Sequence, residues 1–171
     1  LTAARKPFAD SGENVVNFLR GQNTPEAFTA GTDTFGYLNI FRSLRVNRLG
    51  DTVNSVPLFI GKPLYQFNYT LGADAESYAD FKTRVANRSR VLYIGANDGM
   101  LHAFNATTGA EAWAYVPNLV MSDLNNLSLK TGFNHKYYVD STPAAADVDF
   151  GSGTWRTILV GRLGKGGRGY Y

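Results

Sequence analysis

The stretch from Arg90 to Trp113 restricts the fold of this chain more than any other. It reads RVLYIGANDGMLHAFNATTGAEAW, in which β-branched, aliphatic and aromatic residues are separated by two short turn signals. Aspartate followed by glycine predicts a type I′ turn at Asp98-Gly99, because that turn takes positive φ at both central residues. The predicted elements are the strands Val91–Ile94, Met100–Asn105 and Glu111–Val116, and the turns at 97–99 and 107–109. Such a meander is part of a β-propeller blade.

The pattern D-G-x-L-x-A-F-x-A-x-T-G-x-E-x-W within this stretch is similar to the repeat of quinoprotein-type propellers. In those proteins a small turn and a tryptophan lock one blade onto the next. The resemblance implies structural turn and blade-locking roles for Asn97, Asp98, Gly99, Gly109 and Trp113. We expect Trp113 to be buried, and we expect Asn97 to contribute less to stability than Gly99.

A narrower resemblance covers more of the chain. LGDTVNSVP from Leu49 to Pro57, VLYIGANDGMLHAF, YVDSTP and WRTILVGRLGKGGRGYY resemble the C-terminal domain of the PilY/PilC family of type IV pilus tip-associated proteins. The resemblance implies a non-enzymatic, exported protein of the bacterial cell envelope and pilus tip. It also implies roles in fimbrium biogenesis, control of retraction (and so twitching motility) and cell adhesion. The expected partners are minor pilins or the pilus tip, and a host or abiotic surface.

Composition narrows the remaining classes. The net charge of +3 comes from scattered lysines and arginines, which does not favour nucleic acid as a partner. There is no cysteine nucleophile and no G-x-S-x-G elbow, so we expect no enzyme. The alternatives are a fragment of a quinoprotein-like dehydrogenase and a generic scaffold propeller of envelope assembly.

Neither histidine suggests a metal site, because no carboxylate or second histidine is placed beside it in the sequence. We expect His102, within a strand, to be a satisfied core residue. The family resembled here has a calcium loop of repeated aspartates, and no segment of this chain matches it. No cofactor is therefore expected in this segment, and calcium is expected only in another part of the family's propeller.

The organisation along the chain predicts two parts. Residues 1–48 form a leading segment with a short helix near Asn14–Gly21 and a weakly alternating stretch at Phe41–Val46. Residues 49–171 form the N-terminal part of a β-propeller domain that is incomplete at its C-terminus. Insertions at 62–89 and 117–139 interrupt it, and the first contains a predicted amphipathic helix over Glu76–Asn87.

An internal repeat supports the propeller. N-S-V-P with Asn54 and Pro57, which follows Asp51 in one structural loop, is echoed by D-S-T-P with Asp140 and Pro143. Further strands are predicted at Ala144–Val148 and Trp155–Leu163, around a hairpin turn at 149–153.

The run Gly164–Gly169 matches G-x-G-x-x-G, but strand-like residues follow it, which favours a glycine hairpin over a dinucleotide loop. About two incomplete blades result. We therefore expect the remainder of the same propeller to be a partner, and we expect the isolated segment to self-associate.

Overall fold

The computed structural model describes residues 12–21, 49–63, 65–67, 75–129 and 132–171, with only the backbone described for 12–15. The predicted stretch at Phe41–Val46 lies outside these residues. No helix in the described ranges is both long enough and apolar enough to cross a membrane. The helices are α1 (Gly12–Leu19), α2 (Tyr78–Arg84) and two 3₁₀ helices (Asn118–Val120 and Leu124–Ser128), and the strands are β1 (Leu58–Ile60), β2 (Val91–Ala96), β3 (Met100–Asn105), β4 (Glu111–Tyr115), β5 (Ala144–Asp149) and β6 (Trp155–Val160).

The first sheet is antiparallel, with the strand order β1-β2-β3-β4. Strands β2 and β3 pair along their whole length, from Val91 opposite Asn105 to Ala96 opposite Met100. A β-bulge shifts the β3–β4 register between Ala103 and Phe104. The predicted meander is therefore confirmed, with β1 added to its first edge.

The second sheet pairs β5 with β6 in antiparallel fashion. The hairpin turn between β5 and β6 depends on glycine, because Gly151 and Gly153 both have positive φ. Beyond β6 the chain reverses through the glycine run, and Arg162 forms an antiparallel bridge with Tyr170. The G-x-G-x-x-G match is thus a hairpin connection, as predicted.

The main core lies under the second 3₁₀ helix and between the two sheets. Its buried members are Leu101 of β3, Leu163 beyond β6 and five residues of the insertion at 117–139, namely Val120, Leu124, Leu127, Tyr138 and Val139. The partly buried Leu159 of β6 packs against them. Apolar area removed from water in this way is the main stabilising term of folding. The insertion is therefore part of the core.

Helix α2 forms where the sequence predicts a helix, and Ser77 caps it by accepting a hydrogen bond from the Asp80 amide (3.1 Å). Its buried face carries Tyr78 and Phe81, which cluster with Trp155 of β6. The helix lies in the connection between β1 and β2 of the first sheet, but its buried face packs against Trp155 of the second sheet. Its apolar face thus links the two sheets.

Candidate functional site at the junction between the two sheets

The two copies of the internal repeat lie side by side. The Asn54 amide donates to Asp140 Oδ1 (3.1 Å), and the Asn54 side-chain amide donates to Asp140 Oδ2 (2.5 Å). One residue further on, the Ser55 hydroxyl donates to the Ser141 carbonyl (3.3 Å). These contacts keep the same separation of 86 residues. The Leu49–Pro57 loop and the 140–142 segment are therefore equivalent parts of neighbouring repeats in direct contact.

Asn97 connects this contact to the β2–β3 turn. Its side-chain amide donates to Asp51 Oδ2 (2.9 Å) and to Asp140 Oδ1 (3.4 Å). Its Oδ1 accepts from the Tyr138 backbone amide (3.0 Å). The residue is only 3% exposed. The sequence alone predicts that Asn97 contributes less to stability than Gly99. The contacts of Asn97 predict the reverse, because it is a buried connector between three segments and not only a turn residue.

The turn itself also differs from the prediction. Gly99 has φ +91°, and Asp98 has no positive φ, so the turn is not type I′. The three residues 97–99 lie between the paired Ala96 and Met100, which describes a three-residue hairpin with glycine in the left-handed region. The Asp98 carboxylate accepts from the backbone amides of Gly50 (2.8 Å) and Met100 (3.1 Å). These bonds fix the turn against the Leu49–Pro57 loop.

The carboxyl groups at this junction accept hydrogen bonds from several donors. Asp140 is 1% exposed and lies among the amides already described. At Asp51, burial raises the pKa, but hydrogen bonds from Asn97 and His135 outweigh it and hold the pKa of this carboxyl below its usual value. The hydrogen bonds of the junction therefore favour the ionised form of Asp51.

The junction also requires backbone segments of the two repeats to approach each other closely. The Gly95 amide donates to the Ser55 hydroxyl (2.9 Å), and a Cβ atom on Gly95 would lie 2.7 Å from the Val139 carbonyl oxygen. At the glycine hairpin, Gly164 forms a parallel bridge with Asp140 and has φ +60°. Glycine at these positions lets the two repeats approach each other.

The remaining predicted site residues do not meet at the junction. Gly109 has φ +74° and open space around it. Pro57 is exposed and Pro143 is buried at the start of β5. Trp113 is 44% exposed, so its expected burial is not found. The reason is its position on β4, the edge strand, where it contacts Tyr93 from one side (5.6 Å between ring centroids).

A second polar connection was not predicted from the sequence. Arg88 donates to the Gly61 carbonyl (2.6 Å) and to the Thr157 hydroxyl (2.6 Å), which joins the two sheets. Asp147 accepts from the hydroxyls of Thr157 (2.5 Å) and Tyr78 (2.7 Å). Burial and the adjacent Asp147 carboxylate raise the pKa of the Tyr78 hydroxyl, so it stays protonated and donating. No local motif marks these residues, whose partners lie far away in sequence.

His102 is a satisfied core residue, as predicted. It is 6% exposed, and its ring nitrogens contact Glu111 and Asp98. It borders a cavity of about 730 Å³ between the first sheet, α1 and the second 3₁₀ helix. Across the described ranges, no three acidic, histidine or cysteine side chains are grouped to hold a metal ion.

Comparisons with known proteins agree with this arrangement. A family model described as the PilY1 beta-propeller domain matches residues 49–171. A type IV pilus biogenesis factor PilY1 homolog of Xylella fastidiosa is 40% identical over 95% of this chain. The type IV pilus biogenesis factor PilY1 of Pseudomonas aeruginosa (strain UCBPP-PA14) is 38% identical over 94% of this chain. The chain covers only 13% of each of these two relatives.

Among solved structures, the chain is similar to the Pseudomonas aeruginosa PilY1 C-terminal domain. The TM-score is 0.46 and the sequence identity is 36%, over 66% of this chain and 21% of that structure. The family match and the two antiparallel sheets together confirm the predicted fold class, which is part of a β-propeller with helical insertions.

Proposed function

The chain belongs to the family of PilY1 β-propeller domains, and on that premise we propose that it is the propeller segment of a type IV pilus biogenesis factor. The proposed role is in pilus assembly, in control of retraction and in surface adhesion. The observation that carries the proposal is the family match over 49–171, which includes every junction residue described above. The proposed location is the bacterial envelope and the pilus tip.

The geometry supports a platform that transmits force between partners. The two sheets are joined by the hydrogen bond of Asn97, just after β2, with Asp140 and by Arg88, which precedes the same strand. Such joints resist sliding because each requires a defined distance and angle. Exposed loops on a rigid scaffold commonly carry binding residues. The proposed partners are the remainder of the same propeller, minor pilins or the pilus tip, and a host or abiotic surface.

We propose that this role involves no chemistry by the segment itself. The residues shared with quinoprotein repeats, Gly109 and Trp113 among them, lie in a turn and on a strand. They therefore account for the resemblance to dehydrogenases by structure alone. The rival function is tested by adding a quinone cofactor to the purified full-length protein and measuring alcohol turnover. Turnover would reject the non-enzymatic role.

The calcium loop of the family is proposed to lie in a part of the propeller other than these residues. The test is calcium binding by the full-length protein with Asp147 and Asp149 both changed to Asn. Unchanged calcium stoichiometry supports the proposal, and a loss of one bound ion would place a site in the second sheet.

The pilus role is tested by complementing a strain that lacks the gene. Deletion should reduce surface pili and twitching. Restoring the gene with Asp140→Asn should leave a partial defect, because one buried acceptor oxygen becomes an amide NH2 group that faces the donors of Asn54. The control is Asp123→Asn. The Asp123 side chain is 59% exposed and pairs with Lys136. This variant should restore piliation fully.

Two outcomes contradict the proposal. Normal piliation, twitching and adhesion in the deletion strain would reject the pilus role itself. Equal complementation by Asp140→Asn and wild type, at equal protein levels, would show that the junction does not matter for that role.

A further inference from the structure

His102 lies between two carboxylates at the centre of the first sheet. Its Nδ1 is 2.6 Å from Glu111 Oε1, and its Nε2 is 3.0 Å from Asp98 Oδ2. An ionised carboxylate only accepts hydrogen bonds, so satisfying both contacts requires a proton on each ring nitrogen. Only the positively charged imidazolium meets that requirement.

The two carboxylates belong to different segments. Glu111 begins β4, the edge strand, and pairs across the bulge with Phe104 of β3. Asp98 belongs to the β2–β3 turn and accepts from the Gly50 amide. The imidazolium of β3 therefore holds an edge strand on one side and the anchor of the Leu49–Pro57 loop on the other.

The charges around His102 favour its proton. Among the described residues that line the adjoining cavity, only Arg20 of the α1 C-terminal turn, Asp98, Glu111 and His102 ionise. Burial lowers the pKa of His102, but the hydrogen bonds and charges of Asp98 and Glu111 outweigh it and raise the pKa above its usual value. Arg20 is the one permanent cation among these described lining residues.

We propose that His102 is a proton-dependent clamp that sets how firmly β4 and the Asp98 turn are attached to the sheet. With its proton, the ring donates to both carboxylates. Without it, the neutral ring has one N–H, so one carboxylate loses its donor and faces a lone pair. The proposal does not depend on the pilus role.

The direction of the pH effect follows from the raised pKa. A group whose pKa is higher in the folded state contributes its full stabilisation below its unfolded pKa, which is about 6.5 for histidine. That contribution is lost as pH rises through the higher folded pKa. The clamp is therefore tightest at mildly acidic pH and weakens toward alkaline pH.

The test is amide hydrogen exchange of the full-length protein, with peptides that cover β4 and the Asp98 turn. Wild type is compared with His102→Gln at the same pH, so the chemical exchange rate cancels. We expect wild type to be better protected than the variant at pH 6 and nearly equal to it at pH 9, because the raised pKa keeps the ring protonated only on the acidic side. The matched control is His135→Gln, because this second histidine is 49% exposed and pairs with Asp51. It should leave the β4 peptides unchanged at both pH values.

A wild-type to His102→Gln protection ratio that stays constant from pH 6 to pH 9 would overturn the clamp. If His102→Gln does not fold, Glu111→Gln replaces it, since the Glu111 side chain is 47% exposed and tolerates the change. Glu111→Gln should flatten the pH dependence of β4 protection. The same pH dependence as wild type would reject the proposal.

Discussion

The turn at 97–99 lies against other parts of the molecule, whereas the turn at 106–109 of the same meander faces solvent. A Cβ atom on Gly99 would lie 2.2 Å from Leu124 Cδ2, while nothing lies within 4 Å of the equivalent position on Gly109. Both glycines have positive φ, so both turns need glycine for local reasons. Only the first turn is also fixed by its surroundings.

The asparagines of the two turns differ in the same way. Asn97 bonds partners up to 46 residues away. Asn105 accepts from the amides of Thr107 (2.8 Å) and Thr108 (3.0 Å), within its own turn. Similar turn chemistry can therefore stabilise a single hairpin or connect two sheets, and the stability changes below separate these cases.

Asn97→Ala should give the largest loss, about 3 kcal/mol, because each buried polar group left without a partner costs ~1–3 kcal/mol. The Tyr138 amide loses its acceptor, and the carboxylates of Asp51 and Asp140 lose a donor. The measurement is the urea midpoint of the full-length protein by pulse proteolysis, followed on the fragment that contains the turns. The control, Asn105→Ala, should cost about 1 kcal/mol or less, since water can replace its exposed partners. Equal losses would show that Asn97 acts only within its turn.

Gly99→Ala should cost about 2 kcal/mol. Positive φ costs a residue with a side chain ~1–2 kcal/mol, and crowding a packed core adds to it. The added methyl group meets the end of Leu124, a buried side chain that also borders the cavity beside His102. That space lets Leu124 move, which limits the loss. In Leu124→Ala, Gly99→Ala should cost less than in wild type, and a cost unchanged by Leu124→Ala would exclude the contact.

The elements that the sequence predicts best are those with local causes. Strands β2 and β6 follow from runs of β-branched, aliphatic and aromatic residues, and strands β3 to β5 follow from the glycine turns beside them. Helix α2 follows from Tyr78 and Phe81 at helical spacing. The echo of Asn54 in Asp140 indicated a repeat. It did not indicate that the two copies touch, because side-chain contact across 86 residues depends on how the sheets dock.

The wrong predictions have the same origin. The predicted turn type is wrong because the pairing of Ala96 with Met100 leaves three residues in the loop, and such loops commonly place only their glycine in the left-handed region. The connection through Arg88 and Asp147 is equally invisible in the sequence. Local patterns thus predict elements, while the joints between sheets depend on partners that are distant in the chain.

Trp113→Ala tests the exposed edge strand of the first sheet. With 44% of the residue exposed and one aromatic contact to Tyr93, the described contacts predict a loss of about 1–2 kcal/mol, below the ~3–5 kcal/mol of a buried tryptophan. The measurement is again the urea midpoint of the full-length protein. A loss in the higher range would mean that other parts of the propeller cover Trp113. That result would support the blade-locking role that the quinoprotein-like repeat implies.

Gly109→Ala should have the smallest effect, about 1 kcal/mol. The only cost is the positive φ of +74°, because an added Cβ meets no atom within 4 Å. Gly109→Asn should cost less still, since asparagine tolerates the left-handed region better than alanine. At Gly99 the same asparagine should be no better than alanine, because its larger side chain still meets Leu124. If asparagine recovered stability equally at both glycines, conformational strain alone would govern the two turns, and the surroundings of the first would contribute nothing.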